Sequence, residues 1–531
     1  MNWKRRNLDW PAEMLHPVGV EIRSYQQSIS QSALAGNTLV VLPTGLGKTI
    51  IAILVATRRL SETSGSKVLV LAPTKPLVLQ HAELFRRHLP EGSLTFGVLT
   101  GETDPDKRRV VFEKSILVFA TPEVVRNDLA EQRYTLQNVS LAVFDEAHRC
   151  VKDYAYSEVA EAYKKQATNQ LVLGLTASPS ARRSRVEEIC EKLARTNVEV
   201  RNESDEEVAG YVKAILLRWE RVGIPDEYKQ VSQILKDVYD EKIQKLRNMH
   251  QLPREGTVTK RMLLTLGDSL RKRLGHGRGS GYLFAAILLQ SQSISLQHAI
   301  ELIETQGVTG LTKYLSRLTE SKNRSSRGLA KNPKVIEALK LSETIATVEH
   351  PKQAVLRSII SEELGTNPNS KLIVFTQFRE TVEAIVDNLN HIQGVSAVRF
   401  VGQATRDDGN VGLKQKEQMQ ILEEFRSGRF NVLVTTSIGE EGLHVPDVDH
   451  VIFYEAVPSE IRSIQRRGRT GRTRLGKVTV LMAENTVDEA YYWSSRRKEQ
   501  QMRQLLETIK RKGLRRRRRK LTLLDYINDA K

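Results

Sequence analysis

The sequence predicts an α/β protein of two parallel-sheet lobes with an all-helical domain inserted between them. Short apolar runs rich in Val, Leu and Ile alternate with longer helical patterns from residue 38 to about residue 201. The same rhythm returns from residue 371 to about residue 483. Between the two, apolar residues recur at helical spacing in stretches such as EYKQVSQILKDVYDEKIQKLRNM and SLQHAIELIETQGVTGLTKYLSRL. Strands separated by helix-length segments need crossover connections, which imply a parallel sheet covered by helices. A helical period over long segments instead buries one stripe per helix in a bundle.

The first lobe is expected to contribute strands at 38–42, 67–72, 95–100, 115–120, 141–144 and 171–175, all ending near polar residues. The helical insert follows over 203–349, without an internal repeat of fixed period. Its basic stretches RKRLGHGRGSG (271–281) and SKNRSSRG (321–328) read as glycine- or serine-rich surface loops. The runs KLIVF, VSAVRF, NVLVTT, HVIFYEA and KVTVLMA supply the strands of the second lobe. The expected division is therefore 1–202, 203–349, 350–486, and a C-terminal helix with a basic tail over 487–531.

Bulk properties narrow the partner. The 531 residues include 81 Lys and Arg against 63 Asp and Glu, a formal charge of +18. That balance suits a polyanion, and nucleic acid is the leading candidate, although ribosome-associated and membrane-surface proteins share it. Cys150 and Cys190 are the only two cysteines, which excludes a disulfide framework or a four-cysteine zinc site within the chain and points to a reducing compartment. The N-terminal MNWKRRNLDW has no apolar stretch behind it, and no run approaches the roughly 18 apolar residues of a membrane span. No membrane association is expected, and the cytoplasm, beside the nucleoid, is the expected location.

Three motifs carry chemistry. LPTGLGKT (42–49) follows the strand TLVVL and precedes a helical pattern, the context of a phosphate-binding loop. Pro43, Thr44, Gly45, Leu46 and Gly47 would curl the backbone around the phosphates of ATP, Lys48 would reach the β and γ phosphates, and the Thr49 hydroxyl would coordinate Mg²⁺. A plain glycine turn is the alternative. DEAH (145–148) sits at the end of the run LAVF, where strand ends of α/β sheets open into a ligand crevice. Asp145 would hold Mg²⁺ and Glu146 would polarise the attacking water. QRRGRTGR (465–472) alternates Arg with Gly. Its Arg469 and Arg472 are assigned to neutralising transition-state charge, with Gln465 beside them, and because they lie in the second lobe, catalysis would require lobe closure.

With these motifs in order, the chain resembles helicase superfamily 2. Within it, the resemblance is to the archaeal Hef and Fanconi anaemia M-group enzymes, and more distantly to RIG-I-like and Dicer helicases. Further matching segments are RSYQ (23–26), APTKPLVLQ (72–80), TG (100–101), ATPEVVRNDL (120–129), TASP (176–179), VFTQFRE (374–380), QKEQ (415–418) and TTSIGEEGLHVP (435–446). The resemblance implies RecA-like lobes and a thumb-like insert. It implies that Arg23 and Gln26 read the adenine. It also implies that Pro73, Thr74, Lys75, Thr100, Gly101, Thr121, Pro122, Gln377, Thr435 and Thr436 line the path of one nucleic-acid strand through sequence-neutral contacts. Thr176 and Ser178 would couple the two sites. After EEGL the family usually carries Asp; His444 stands there instead, which puts a ribose contact in doubt.

The implied function is an ATP-dependent DNA helicase or translocase acting on forked or branched DNA in repair, moving 3′ to 5′. The insert, with its basic stretches at 271–278 and 322–327, would grip the branch. A double-stranded RNA motor and a non-catalytic nucleic-acid-binding scaffold are the alternatives. The nuclease motif of many relatives is not found in this sequence, and no nuclease activity is expected. Arg515 to Arg519 form a basic stretch adding nonspecific DNA affinity. The peptide from Lys520 to Ile527 has the spacing of a sliding-clamp ligand, though an amphipathic tail docking on its own protein would look the same.

Overall fold

A computed structural model of the chain describes residues 17–90, 92, 94–194, 197–211, 215–275, 281–402, 412–436, 447–456 and 476–512. The first lobe contains strands β1 (Thr38–Val41), β2 (Lys67–Leu71), β3 (Phe96–Leu99), β4 (Leu117–Ala120), β5 (Val139–Phe144), β6 (Val172–Thr176) and β7 (Asn197–Val200). They form one sheet in the order β3-β4-β2-β5-β6-β1-β7, every pairing parallel. Both faces are covered. Leu39, Val41, Leu69, Leu71 and Phe144 point into one core, and Val40, Leu42, Val68, Val70 and Val143 into the other. Two-sided burial is why these strands read as unbroken apolar runs rather than alternating ones.

The second lobe contains β8 (Ile215–Val222), β9 (Leu372–Phe375), β10 (Ala397–Phe400), β11 (Val432–Thr435), β12 (His450–Phe453) and β13 (Gly476–Ala483). Their order is β10-β11-β9-β12-β13-β8, again all parallel. Strand β8 corrects the sequence reading, which placed these residues at the start of the helical insert. It pairs along its whole length with β13 and closes the edge of the second sheet. ILLRWERV is largely exposed, with Leu216 and Trp219 at 59% and 46%, so no continuous apolar run marks it. Strand β7, at the edge of the first sheet with only Val200 buried, likewise lacks a continuous apolar run.

The insert is a bundle of helices Asp226–Asn248, Lys260–Gly275, Gly281–Thr305, Val308–Glu320, Arg324–Ala330 and Pro333–Thr344. Val231, Leu235, Val238, Leu296, Ala299, Ile303, Leu311 and Leu315 fill its core. Their spacings of three, four and seven are those of a helix burying one stripe. The basic stretches are less loop-like than expected. Residues 271–275 complete the helix Lys260–Gly275, and 324–327 lie in the helix Arg324–Ala330, where the Asn323 side chain accepts from the Ser325 amide at 2.9 Å. Residues 276–280 lie outside the described residues. None of the described helices is long and apolar enough to cross a membrane, and both cysteines are buried.

The helix Val487–Lys512 joins the two lobes. Its first turn is fixed to the second: Asp488 pairs with Lys352, and both side chains are buried. The Asp488 carboxylate also accepts from the Ala483 amide at 3.2 Å, and Lys352 donates to the Thr305 carbonyl of the insert at 3.3 Å. Its last turns lie on the first lobe, where Met502, Leu506 and Ile509 enter the sheet core, Lys510 pairs with Asp205 at 2.6 Å, and Asn202 bonds Glu507.

A buried pair is costly to break from one side because the remaining charge is stranded. Lys352→Met should lower the unfolding free energy, measured by urea titration at neutral pH, by about 3–5 kcal/mol. Adding Asp488→Asn, which keeps the acceptor and removes the stranded charge, should recover most of that loss.

Candidate active site

The phosphate-loop segment starts where β1 ends. The Leu42 amide donates to the Thr176 carbonyl at 3.0 Å, carrying sheet pairing one residue past the strand. The chain then turns through Gly45 and Gly47, with φ of 80° and 76°, into the helix Lys48–Glu62. That helix is held by buried Ile51, Ala52, Ile53, Leu54 and Val55, which fixes its N-terminus at the C-terminal edge of the sheet. Leu46 is the loop's buried anchor, while Gly45 is exposed and Pro43, Thr44, Lys48 and Thr49 are half-buried. The Lys48 ammonium donates to the carbonyls of Leu42 at 3.1 Å and Pro43 at 3.5 Å.

The helix Ser24–Ala35 braces this loop. The Tyr25 hydroxyl donates to the Leu46 carbonyl at 2.8 Å, and the Gln26 amide does so at 3.2 Å. The Gln26 oxygen accepts from the Arg23 amide at 3.0 Å, so Gln26, 3% exposed, has both ends of its amide engaged within the loop's support. Arg23 lies over the Tyr211 ring, 4.4 Å from its centroid. A Cβ on Gly47 would sit 2.4 Å from the Gln26 nitrogen, so glycine is needed there for space as well as for its positive φ.

Asp145 and Glu146 follow β5. The Asp145 amide donates to the Leu71 carbonyl at 2.9 Å, and its carbonyl accepts from the Tyr156 hydroxyl at 2.8 Å. Its carboxylate lies 2.8 Å from His81 Nε2. Burial pushes the Asp145 carboxyl up, but His81 and the Lys48 ammonium outweigh it and hold the group below its usual range, hence ionised. Glu146 adopts a left-handed conformation at φ 49°, a local strain of the kind that collects at functional sites. His148 Nδ1 lies 3.2 Å from the Glu146 carboxylate and 3.2 Å from the Thr176 hydroxyl, which in turn accepts from the Ser178 amide at 3.2 Å. The DEAH and TASP segments are thus one connected polar chain. A hydroxyl on Thr49 and an ionised carboxylate on Asp145 are hard oxygen donors and fit Mg²⁺.

The residues expected along a nucleic-acid strand cluster at the other half of the same edge, after β2, β3 and β4. Thr74 occupies the N-cap position of the helix Lys75–His88 and Thr121 that of Pro122–Ala130, so Pro73, Lys75 and Pro122 stand at two helix N-termini. Lys75 pairs with Glu102, beside Gly101. The Thr100 amide donates to the Thr103 hydroxyl at 3.1 Å. Arg108 donates to the Thr103 carbonyl at 2.8 Å and pairs with the fully buried Asp128 at 3.1 Å, tying this loop to the helix that begins at Pro122. In the second lobe, Gln377 donates to the Ala456 carbonyl at 3.3 Å. Thr435 is fully buried with its hydroxyl on the Thr436 carbonyl at 3.0 Å, and Thr436 is buried as well. Neither presents an open hydroxyl surface in this arrangement. Gln465, Arg469, Arg472, His444, Arg515 to Arg519 and the peptide from Lys520 to Ile527 lie outside the described residues.

Sequence reasoning gave no role to His81, Tyr156 or Tyr25. His81 directly follows APTKPLVLQ on a helical face otherwise occupied by Val78, Ala82 and Phe85, and at that spacing a histidine reads as core.

Family models match in chain order: "DEAD/DEAH box helicase" over residues 23–186, "Putative ATP-dependent RNA helicase, helical bundle" over 227–354, and "Helicase conserved C-terminal domain" over 352–474. The crystal structure of the Pyrococcus furiosus Hef helicase domain is 44% identical with a TM-score of 0.66, and the match covers 89% of this chain and 98% of that one. A putative ATP-dependent RNA helicase of Methanocaldococcus jannaschii is 39% identical over 93% of this chain and 62% of its own length. The ATP-dependent DNA helicase mph1 of Neurospora crassa is 32% identical over 88% of this chain and 42% of its own length. This chain therefore spans less than two thirds of these curated relatives. Three ordered family models, a bundle between two parallel sheets and a near-complete match to a solved helicase domain agree: the chain belongs to the superfamily 2 helicases of the Hef and Fanconi anaemia M-group type.

Proposed function

We propose that the chain is an ATP-driven DNA motor that remodels forked or branched DNA and travels 3′ to 5′. The observation that carries the reading is the division of the first sheet's C-terminal edge. The phosphate loop, DEAH and TASP follow β1, β5 and β6, and the helix N-termini suited to a phosphodiester backbone follow β2 and β4 in the same sheet. In this reading Lys48 and the loop amides hold the ATP phosphates, and Thr49 and Asp145 hold Mg²⁺. The metal, when bound, neutralises phosphate charge. Glu146 polarises the water, and His148 keeps that carboxylate in place. Arg469 and Arg472 complete the charge neutralisation on closure of the second lobe, with Gln465 beside them.

The names of relatives divide over the substrate. The Neurospora protein is called a DNA helicase and the Methanocaldococcus protein an RNA helicase, so double-stranded RNA is the second reading. The basic balance of the chain suits either polyanion.

ATP hydrolysis by the wild type, measured at fixed salt with forked DNA, linear duplex DNA and double-stranded RNA, should be stimulated most by the fork. Strongest stimulation by RNA would transfer the reading to an RNA motor, and no hydrolysis with any of them would leave a binding scaffold. Glu146→Gln should lower the stimulated rate by about 10²- to 10⁴-fold while nucleotide binding persists. Gly47→Ala forces a left-handed alanine against the Gln26 amide. It should abolish binding of a fluorescent ATP analogue, with a melting temperature close to wild type; retained tight binding would show that the loop does not seat the nucleotide.

A further inference from the structure

The helix Lys75–His88 touches both halves of the sheet edge. Its N-terminus carries Thr74 and Lys75, and six residues after Lys75, about 9 Å along the axis at 1.5 Å per residue, its inward face carries His81. That face is otherwise apolar, with Val78, Ala82 and Phe85 buried beside it. His81 is 5% exposed, and its Nε2 lies 2.8 Å from an Asp145 carboxylate oxygen. An ionised carboxylate only accepts, so in this contact Nε2 is the donor. The other nitrogen, Nδ1, is buried with no hydrogen-bond partner. An orphaned buried polar atom costs about 1–3 kcal/mol, a cost an apolar side chain at the same core position would not incur. Packing therefore does not explain a histidine here, whereas the contact with Asp145 does.

We propose that His81 is a positioning residue that couples the nucleic-acid edge of the first lobe to its nucleotide site. It orients the Asp145 carboxylate from the helix whose N-terminus meets the strand, so a shift of that N-terminus on nucleic-acid binding reaches the metal-holding group through two turns of helix. This route is distinct from the contacts of His148 with Glu146 and Thr176, which link β5 to β6. The proposal rests on the motor reading above and adds the path by which nucleic acid stimulates hydrolysis.

The test uses the full chain with three substitutions: His81→Leu fills the space without a donor, His81→Gln keeps a donor of similar reach, and His81→Asn keeps a donor that is too short. Two quantities are read. One is the ratio of fork-stimulated to basal ATP hydrolysis; the other, without turnover, is the Mg²⁺ midpoint for binding a fluorescent ATP analogue. His81→Leu and His81→Asn should lower the ratio by about tenfold, within the usual range of coupling between sites, and raise the Mg²⁺ midpoint about tenfold, as loss of a group orienting a metal ligand does. His81→Gln should recover most of both, and fork affinity by fluorescence anisotropy should stay at the wild-type value in all three. Ratio and midpoint within about twofold of wild type for His81→Leu, or a His81→Gln as defective as His81→Leu, would overturn the proposal. If His81→Leu does not fold, the contrast of Gln with Asn decides. If the wild type is not stimulated by any nucleic acid, the motor reading falls by itself, and an unchanged Mg²⁺ midpoint across the variants would then overturn the positioning of Asp145 as well.

Discussion

Everything at the candidate site depends on one strand, β6, pairing in parallel with β1 on one side and β5 on the other. Val41 stands opposite Thr176 and Phe144 opposite Gly174, so three chain segments emerge side by side at the same sheet edge. The first becomes the phosphate loop, the second DEAH and the third TASP. Because parallel strands all end at one edge, their following loops converge without further design, which is why crevices of open α/β sheets form there. Gly174 itself is part of the fit: a Cβ would come within 2.7 Å of Leu193 and 3.2 Å of Ala147, so the backbone of β6 lies close against the turn that carries the DEAH segment.

Upon that frame the polar groups divide into those that bind and those that brace. Tyr25, Gln26 and Tyr156 spend their hydrogen bonds on the backbone of Leu46 and Asp145, which sets the shape of the loop and of the strand end. The helix Val487–Lys512 braces on a larger scale. It is pinned to the second lobe and insert by the buried pair of Lys352 and Asp488, and to the first lobe by Met502, Leu506 and Ile509. A rigid element anchored on both lobes restricts how they move relative to one another, which bears directly on any cycle that needs lobe closure.

Much was legible in the chain. The runs that became β1, β2, β4, β5, β6, β9, β11, β12 and β13 announced themselves because a strand buried on both faces is apolar at most positions. The phosphate loop and DEAH were legible because their chemistry needs glycine, lysine and carboxylate at the ends of such runs. What failed to show were edges and partners. Strand β8 is largely exposed and takes its place from β13, far away in sequence, so no local period marks it. Thr435 and Thr436 matched a motif, yet their burial depends on neighbours that no short window contains.

The amino-acid sequence by itself determined the class of fold, the order of its parts and the identity of the groups at the nucleotide site. Local periodicity and residue chemistry are properties of a short stretch and survive without the rest of the molecule. Only the tertiary structure decided that β8 belongs to the second sheet, that the C-terminal helix returns to the first lobe, and that His81 reaches Asp145 across 64 residues of chain. Those facts are contacts between distant segments, set by how whole surfaces pack, and no periodicity along the chain encodes them.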